Sequence, residues 1–255
     1  MKAIEAVEAF SGFFEKIVGN KPWSAQRTWA LRALQGNSFA ILAPTGVGKT
    51  LFGLVLALYL ANQGKRSCLL FPNTALLTHV HKRILELAER AGVAEEEIAA
   101  YHGGLSKKEK EDVLSRITSG NFKILMLTPQ FLRKNFELFR GISFDLIFVD
   151  DVDSVLKSSR NVDRLLMLLG FTSEDIEKAL DLIYARLRLA AALRRGQGSE
   201  DLLSKVQGLE EEVKKAAGKR RGILLVSTAT GKTRGVRVRP VSYTHLRAHE
   251  TRHDL

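Results

Sequence analysis

A single cysteine in 255 residues removes several kinds of protein at once. A disulfide framework needs pairs, and a cysteine zinc site needs several thiolates, so this chain can build neither. Cys68 stands in the strand-like run Ser67-Cys68-Leu69-Leu70-Phe71 and reads as a buried core residue. Long apolar runs are missing too: residues 51–61, the most apolar stretch, fall short of membrane-crossing length and include a glycine. Residues 1–17 set glutamates among their apolar positions and have no basic start, so no secretory signal is expected there. Together these absences lead to the expectation of a soluble, cytoplasmic protein without a membrane partner. Acidic charge is also scarce. Asp and Glu number 28 against 39 Lys and Arg, and the net charge of +11 favours a polyanionic partner.

Apolar residues make up 45% of the chain, enough for a full core. Residues 1–150 alternate strand-like and helix-like segments. Phe39-Ala40-Ile41-Leu42-Ala43 leads into a glycine-rich turn and a helical pattern over 49–62, and further strands are expected at 68–71, 123–127 and 146–149. Helical patterns over 76–91 and 107–117 lie between them. This alternation implies an α/β fold with a mostly parallel sheet flanked by helices. Strands that are apolar without alternation fit a sheet covered on both faces.

After Asp153 the pattern changes. Residues 162–217 carry only helical periodicity: Ile176, Leu180, Ile183, Leu187 and Ala190, then Leu202, Val206, Leu209, Val213 and Ala216, broken by Gly196-Gln197-Gly198-Ser199. Thr172 and Ser173 followed by acidic residues make an N-terminal cap. Two such helices joined by a short loop pack as an antiparallel hairpin. Strand character returns at 222–227, so the hairpin is inserted between two strands of one sheet. Residues 241–255 show no core pattern and are read as a non-native tail. His245, His249 and His253 recur at helical spacing there, but they are not read as metal ligands.

Ala43-Pro44-Thr45-Gly46-Val47-Gly48-Lys49-Thr50 follows a strand and opens a helix, the context a Walker A loop requires. Its glycines let backbone N–H groups converge on phosphate oxygens at a helix N-terminus. Lys49 is the candidate for the β- and γ-phosphates, and the Thr50 hydroxyl for Mg²⁺. Asp150-Asp151-Val152-Asp153 ends the apolar strand Leu146-Ile147-Phe148-Val149 in the manner of a Walker B motif. Asp150 is a second Mg²⁺ candidate, and Asp151 occupies the place where a glutamate usually polarises the attacking water. ATP and Mg²⁺ are therefore the expected cofactors, with Lys49, Asp150 and Asp151 as the catalytic set.

Smaller motifs surround these two. Trp23-Ser24-Ala25-Gln26-Arg27 lies upstream, where superfamily 2 motors place an adenine-reading glutamine. Phe71-Pro72-Asn73-Thr74, Tyr101-His102-Gly103-Gly104 and Leu127-Thr128-Pro129-Gln130-Phe131-Leu132 resemble the loops with which such motors touch a nucleic-acid backbone. Pro72, Thr74, His102, Gly103, Thr128 and Gln130 are the candidates for contact, offering hydroxyls and backbone N–H groups to phosphates without sequence preference. Ser227-Thr228-Ala229-Thr230-Gly231 resembles motif III, so Thr228 and Thr230 are the candidates for coupling the two sites.

The whole set resembles the helicase module of the reverse gyrase family. The resemblance rests on Pro22-Trp23-Ser24-Ala25-Gln26, the Walker A loop, Asp150-Asp151-Val152-Asp153-Ser154-Val155-Leu156-Lys157 and Ala229-Thr230-Gly231, and it covers residues 2–239. It implies that residues 1–161 form a RecA-like ATP-binding lobe, 162–217 a helical insert, and 218–240 a return to the lobe. It also implies DNA as a partner, together with a second RecA-like lobe and a type IA topoisomerase module that uses ATP to introduce positive supercoils. Within this sequence the family's N-terminal zinc finger, second-lobe arginine finger and nicking tyrosine have no match. Two other readings stay open: the first lobe of a DEAD-box-like RNA helicase, and a nucleotide-binding module that does not hydrolyse.

Overall fold

The computed structural model describes residues 2–156, 159–196, 200–218 and 222–229. Thr230 and residues 241–255, to which the sequence assigns a coupling role and a non-native tail, lie outside them.

The chain opens with two helices, α1 (Lys2–Val18) and α2 (Ser24–Leu34), then enters β1 (Phe39–Leu42) and α3 (Lys49–Ala61). Val7, Phe10, Phe14 and Ile17 recur on one face of α1 and are buried there, as an amphipathic helix requires. In contrast, α3 is apolar nearly all round, because it is buried nearly all round. Next come β2 (Ser67–Leu70) and α4 (Thr74–Ala91). The latter starts where the Asn73 side chain accepts from Leu76 N–H and stops at Gly92, whose φ of 72° an L side chain rarely adopts. β3 (Ile98–Ala100) and α5 (Lys107–Ser119) follow, and Ser106 with Glu109 closes a reciprocal cap on α5. Then come β4 (Ile124–Leu127), α6 (Pro129–Lys134) and β5 (Leu146–Val149). Beyond β5 the chain is helical through α7 (Asp153–Leu156), α8 (Ser159–Leu168), α9 (Ser173–Arg194) and α10 (Glu200–Gly218), and it closes on β6 (Ile223–Thr228).

The six strands form one sheet in the order β1-β6-β5-β2-β4-β3, and every pairing is parallel. The fold is a RecA-like α/β lobe. Five of the strands, all but β1, are buried along their whole length, which explains their largely unalternating apolar composition. One face of the sheet packs on α1, α3 and α4 through Phe10, Phe52, Leu77 and Ile84. The other packs on α5, α6 and α8 through Val113, Ile117, Leu132 and Leu165. Cys68 lies in this second core, and burial pushes its thiol up to about 12, so it stays protonated and inert.

The insert is divided by its packing. Val162, Leu165, Leu166, Leu168 and Leu169 are buried in the second core, so α8 covers the sheet and belongs to the lobe. Beyond it, α9 and α10 pack together as a hairpin, and Ile176 at the start of α9 is still buried in the second core. The hairpin's seam is Ala179, Leu182, Ala185, Val206 and Val213, and Arg186 bonds Glu210 across it at 2.7 Å. The hairpin is rooted at the edge where β5 and β6 begin, since Phe144 N–H donates to Leu168 O and Ile223 N–H to Asp145 O. Among the described residues, no helix is long and apolar enough to cross a membrane.

Candidate nucleotide site and nucleic-acid face

Parallel strands point their C-terminal ends the same way, so the loops that leave them collect along one edge of the sheet. A series of backbone bonds ties that edge together: Ala43 N–H donates to Thr228 O, Val152 N–H to Ser227 O, Asp150 N–H to Leu70 O, Phe71 N–H to Leu127 O, and Tyr101 N–H to Met126 O. Every motif singled out in the sequence and described in the structure lies on this edge or against it.

The loop after β1 turns through Gly46 and Gly48, both left-handed with φ of 85° and 83°, which glycine alone adopts without strain. Gly48 then opens α3, placing Lys49 and Thr50 in its first turn. Lys49 is buried, and its ammonium donates to Ala43 O at 2.6 Å and Pro44 O at 2.7 Å, spanning the mouth of the loop. Thr50 Oγ1 donates to Asp150 Oδ2 at 2.6 Å, and Ser227 Oγ to Asp150 Oδ1 at 2.7 Å. Both oxygens of the Asp150 carboxylate are thereby engaged by hydroxyls from two other elements. Ser227 was not among the residues chosen from the sequence. Its role follows from β6 pairing with β5, which sets Ser227 beside the Asp150 loop, and no spacing along the chain reveals that.

Asp151 is exposed and sits at φ 61°, in the left-handed region. Aspartate and asparagine tolerate that region better than longer side chains do, which accounts for an aspartate at this place. Gln26 is buried against the phosphate loop. Its Nε2 donates to Gly48 O at 3.3 Å, and its Oε1 accepts from Trp23 N–H at 3.0 Å. A side chain on Gly48 would begin 2.8 Å from Gln26 Nε2, so the glycine also makes room for the glutamine. The Trp23 ring is 66% exposed beside this junction.

The other half of the edge carries the remaining loops. Thr74 is exposed at the start of α4, and a Cβ on Gly103 would lie 3.4 Å from its methyl group, so the loops after β2 and β3 touch. Tyr101 packs on Phe131 with ring centroids 4.1 Å apart, joining the loops after β3 and β4. Pro72 is half-buried and Gln130 exposed. Two residues serve the loops from behind. Thr128 caps α6 by accepting from Phe131 N–H, and His102 is buried, with its Nε2 3.2 Å from Nδ1 of His81. His81, on α4, is the second residue missed in the sequence, where nothing marks a contact between a helix and a distant loop. Burial holds both imidazoles below their ordinary pKa, His81 at about 4, with His102 and Arg116 adding to the effect and Glu109 opposing it. Thr228 is buried at the end of β6, its carbonyl on the phosphate loop.

This arrangement, a glycine phosphate loop beside a hydroxyl-held carboxylate on a RecA-like sheet, is that of a helicase-type ATPase domain. The DEAD/DEAH box helicase family model matches residues 23–179, and the chain belongs to that family. Within it, the chain is similar to reverse gyrases: it is 43% identical over 236 residues to reverse gyrase 1 of Aquifex aeolicus and 43% identical over 236 residues to the reverse gyrase of Thermococcus kodakarensis. Those alignments take in 92% and 89% of this chain but only 20% and 14% of the relatives, so the chain spans a fifth or less of their length. It is a helicase-like module of the reverse gyrase type. A hypothetical ATP-dependent RNA helicase from Sulfolobus tokodaii shares the fold, with a TM-score of 0.52 at 17% identity, over 86% of this chain and 50% of that one.

Proposed function

We propose that this chain is the ATP- and DNA-binding lobe of a reverse-gyrase-type motor, in which ATP hydrolysis is coupled to positive supercoiling by a type IA topoisomerase module. The observation that carries the reading is the convergence of Lys49, Thr50, Asp150 and Ser227 at the end of three neighbouring strands. A hydroxyl and a carboxylate 2.6 Å apart are a hard-oxygen donor set, which fits Mg²⁺. Thr50 and Asp150 would hold that ion, whose chemistry is to neutralise charge on the β- and γ-phosphate oxygens. The loop's backbone from Ala43 to Gly48 cradles the phosphates, and Lys49 exchanges two carbonyl partners for phosphate oxygens. Gln26 has one donor and one acceptor position engaged, and its second N–H and second oxygen lone pair are what would read an adenine edge. Asp151 orients the attacking water from its exposed position.

DNA backbone is the partner proposed for the opposite half of the edge. Pro72, Thr74, Gly103 and Gln130 form its surface, while His102 and Thr128 shape the loops beneath. Thr228, with Thr230 following it, is the proposed coupling element: the end of β6 is bonded to the phosphate loop and to the Asp150 loop, and Asp150 N–H donates onward to Leu70 O at the border of the other half. The similarity to reverse gyrases over most of the chain favours this reading over an RNA helicase lobe.

The test is turnover. Fluorescent ATP analogues should bind the chain with Mg²⁺, and Lys49→Ala should abolish that binding. Hydrolysis by the chain on its own should be slow, because an arginine from an opposing lobe is worth roughly 10³–10⁵ in rate. Adding a second RecA-like lobe in trans should raise turnover by orders of magnitude, and DNA should raise it further. A normal helicase rate from the isolated chain would overturn the two-lobe mechanism. Equal stimulation by RNA and DNA would shift the reading to the RNA helicase class.

A further inference from the structure

The loop after β3 is held from one side by an unusual contact. His81 lies two turns into α4, and its imidazole meets that of His102 edge to face, with ring centroids 5.3 Å apart and nitrogens at 3.2 Å. A nitrogen–nitrogen hydrogen bond of this kind needs one ring to donate and the other to accept. It cannot survive when both rings are protonated. His102 Nδ1 is buried without a hydrogen-bond partner, so the ring has no second anchor through that atom. A side chain on Gly104 would begin 3.3 Å from the same nitrogen, which shows that the loop folds down over the ring. From α5, Glu109, Lys110 and Arg116 face the pair. Glu109 accepts from Ser106 N–H at 2.6 Å and helps cap α5, and its charge partly opposes the effect of burial on the pair.

Through this contact α4, which begins at Thr74, is fastened to the loop that carries Gly103. The Tyr101–Phe131 stack extends the same unit to the loop after β4. We infer that His81 is a positioning residue for the nucleic-acid face: while the imidazoles are neutral it holds the 102–104 loop against α4, and protonation of the pair releases that loop. The inference rests on the proposed role of these loops in binding DNA backbone. Burial lowers the affinity of both rings for protons, so the clamp stays closed at neutral pH and opens only in acid.

The full chain is compared with its His81→Ala and His81→Asn variants in three measurements: amide hydrogen exchange over residues 102–106, affinity for labelled oligothymidylate, and affinity for a fluorescent ATP analogue. His81→Ala should speed exchange over 102–106 and weaken oligothymidylate binding by about fivefold, the value of one hydrogen bond, without changing nucleotide affinity. Asparagine places an amide near the position of Nδ1 and does not titrate, so His81→Asn should restore both. On acidification toward pH 4, added positive charge by itself tightens binding to a polyanion, whereas clamp release weakens it. The wild type should therefore lose affinity in acid, and His81→Asn should not. Equal exchange over 102–106 in the wild type and His81→Ala overturns the clamp. Faster exchange in His81→Ala, with no oligothymidylate binding by any variant, leaves the clamp standing and overturns the nucleic-acid reading beneath it.

Discussion

Replacing Asp150 by alanine removes the acceptor of two hydroxyl hydrogen bonds, from Thr50 at 2.6 Å and Ser227 at 2.7 Å. The consequences differ for the two donors. Ser227 is fully buried, so its hydroxyl is orphaned, at a cost of about 1–3 kcal/mol. Thr50 is half-buried and can turn to water, so its loss is nearer 0.5–1.5 kcal/mol, the net value of one hydrogen bond. The sum is about 2–4 kcal/mol, and a domain of this size shifts its Tm by roughly 2–4 °C per kcal/mol, which gives a fall of about 5–15 °C. Asp150→Asn separates stability from ligation. Its amide accepts through one atom and donates through the other, and a hydroxyl serves either role, so most of the Tm should return. The negative charge does not return, so Mg²⁺-dependent nucleotide affinity should be lost in both variants. Differential scanning calorimetry without nucleotide, paired with nucleotide titrations with and without Mg²⁺, reads both quantities. Equal Tm values for wild type and Asp150→Ala would refute the hydrogen-bond argument, and an Asp150→Asn protein that kept its Mg²⁺ dependence would refute the metal assignment.

Gly53→Ala should destabilise the fold by about 1–2 kcal/mol in urea melts, against the usual gain from alanine in a helix, because its Cβ would sit 2.7 Å from the buried Phe148 ring. A gain in stability would show that α3 can lift away from β5. Asp151→Gly should stabilise the chain by about 0.5–1 kcal/mol by relieving a left-handed φ, while abolishing hydrolysis stimulated by a second lobe; retained hydrolysis would remove Asp151 from the catalytic set. For the histidine pair, folded pKa values lie below the unfolded value of 6.5, with His81 at about 4. The unfolded chain therefore takes up protons first, and stability should be full above pH 6.5 and decline as pH falls toward 4. His81→Asn should flatten that decline in denaturant melts across the same window, and an unchanged slope would exclude the pair as its source.

The parts of this molecule that were legible in the sequence are those whose signal is local. Gly46, Gly48, Lys49 and Thr50 announce themselves because a phosphate loop needs those residues at that spacing before a helix. The buried strands show as unbroken apolar runs, and the cap at Thr172 falls where polar and acidic residues precede helical periodicity. What escaped depends on strand order or on packing between distant elements. Ser227 matters because β6 lies beside β5, and His81 because α4 crosses to the loop after β3. Where α8 packs is not legible along the chain either, for a related reason. Val162, Leu165 and Leu169 follow helical spacing as faithfully as the residues of α9 do, and periodicity does not say whether an apolar stripe faces a sheet or a partner helix.

Strand order also explains how one sheet presents two groups of loops along a single edge. The loops that follow β1, β6 and β5 hold Lys49, Ser227 and Asp150, while those that follow β2, β4 and β3 hold Thr74, Gln130 and Gly103. The halves meet where Asp150 N–H donates to Leu70 O, one residue before the Phe71-Pro72 turn. Close-packed strands do not deform smoothly, so a signal between the halves must pass through the loops at that edge. Among the described residues, the backbone bond from Asp150 to Leu70 crosses between them, whereas the end of β6 is bonded within the first half, to the phosphate loop on one side and to the Asp150 loop on the other. A change in the distance between Lys49 and Asp150 therefore bears on the bonds made by Ser227 and Thr228, and its route to the loops after β2, β4 and β3 runs through Asp150 N–H and Leu70 O.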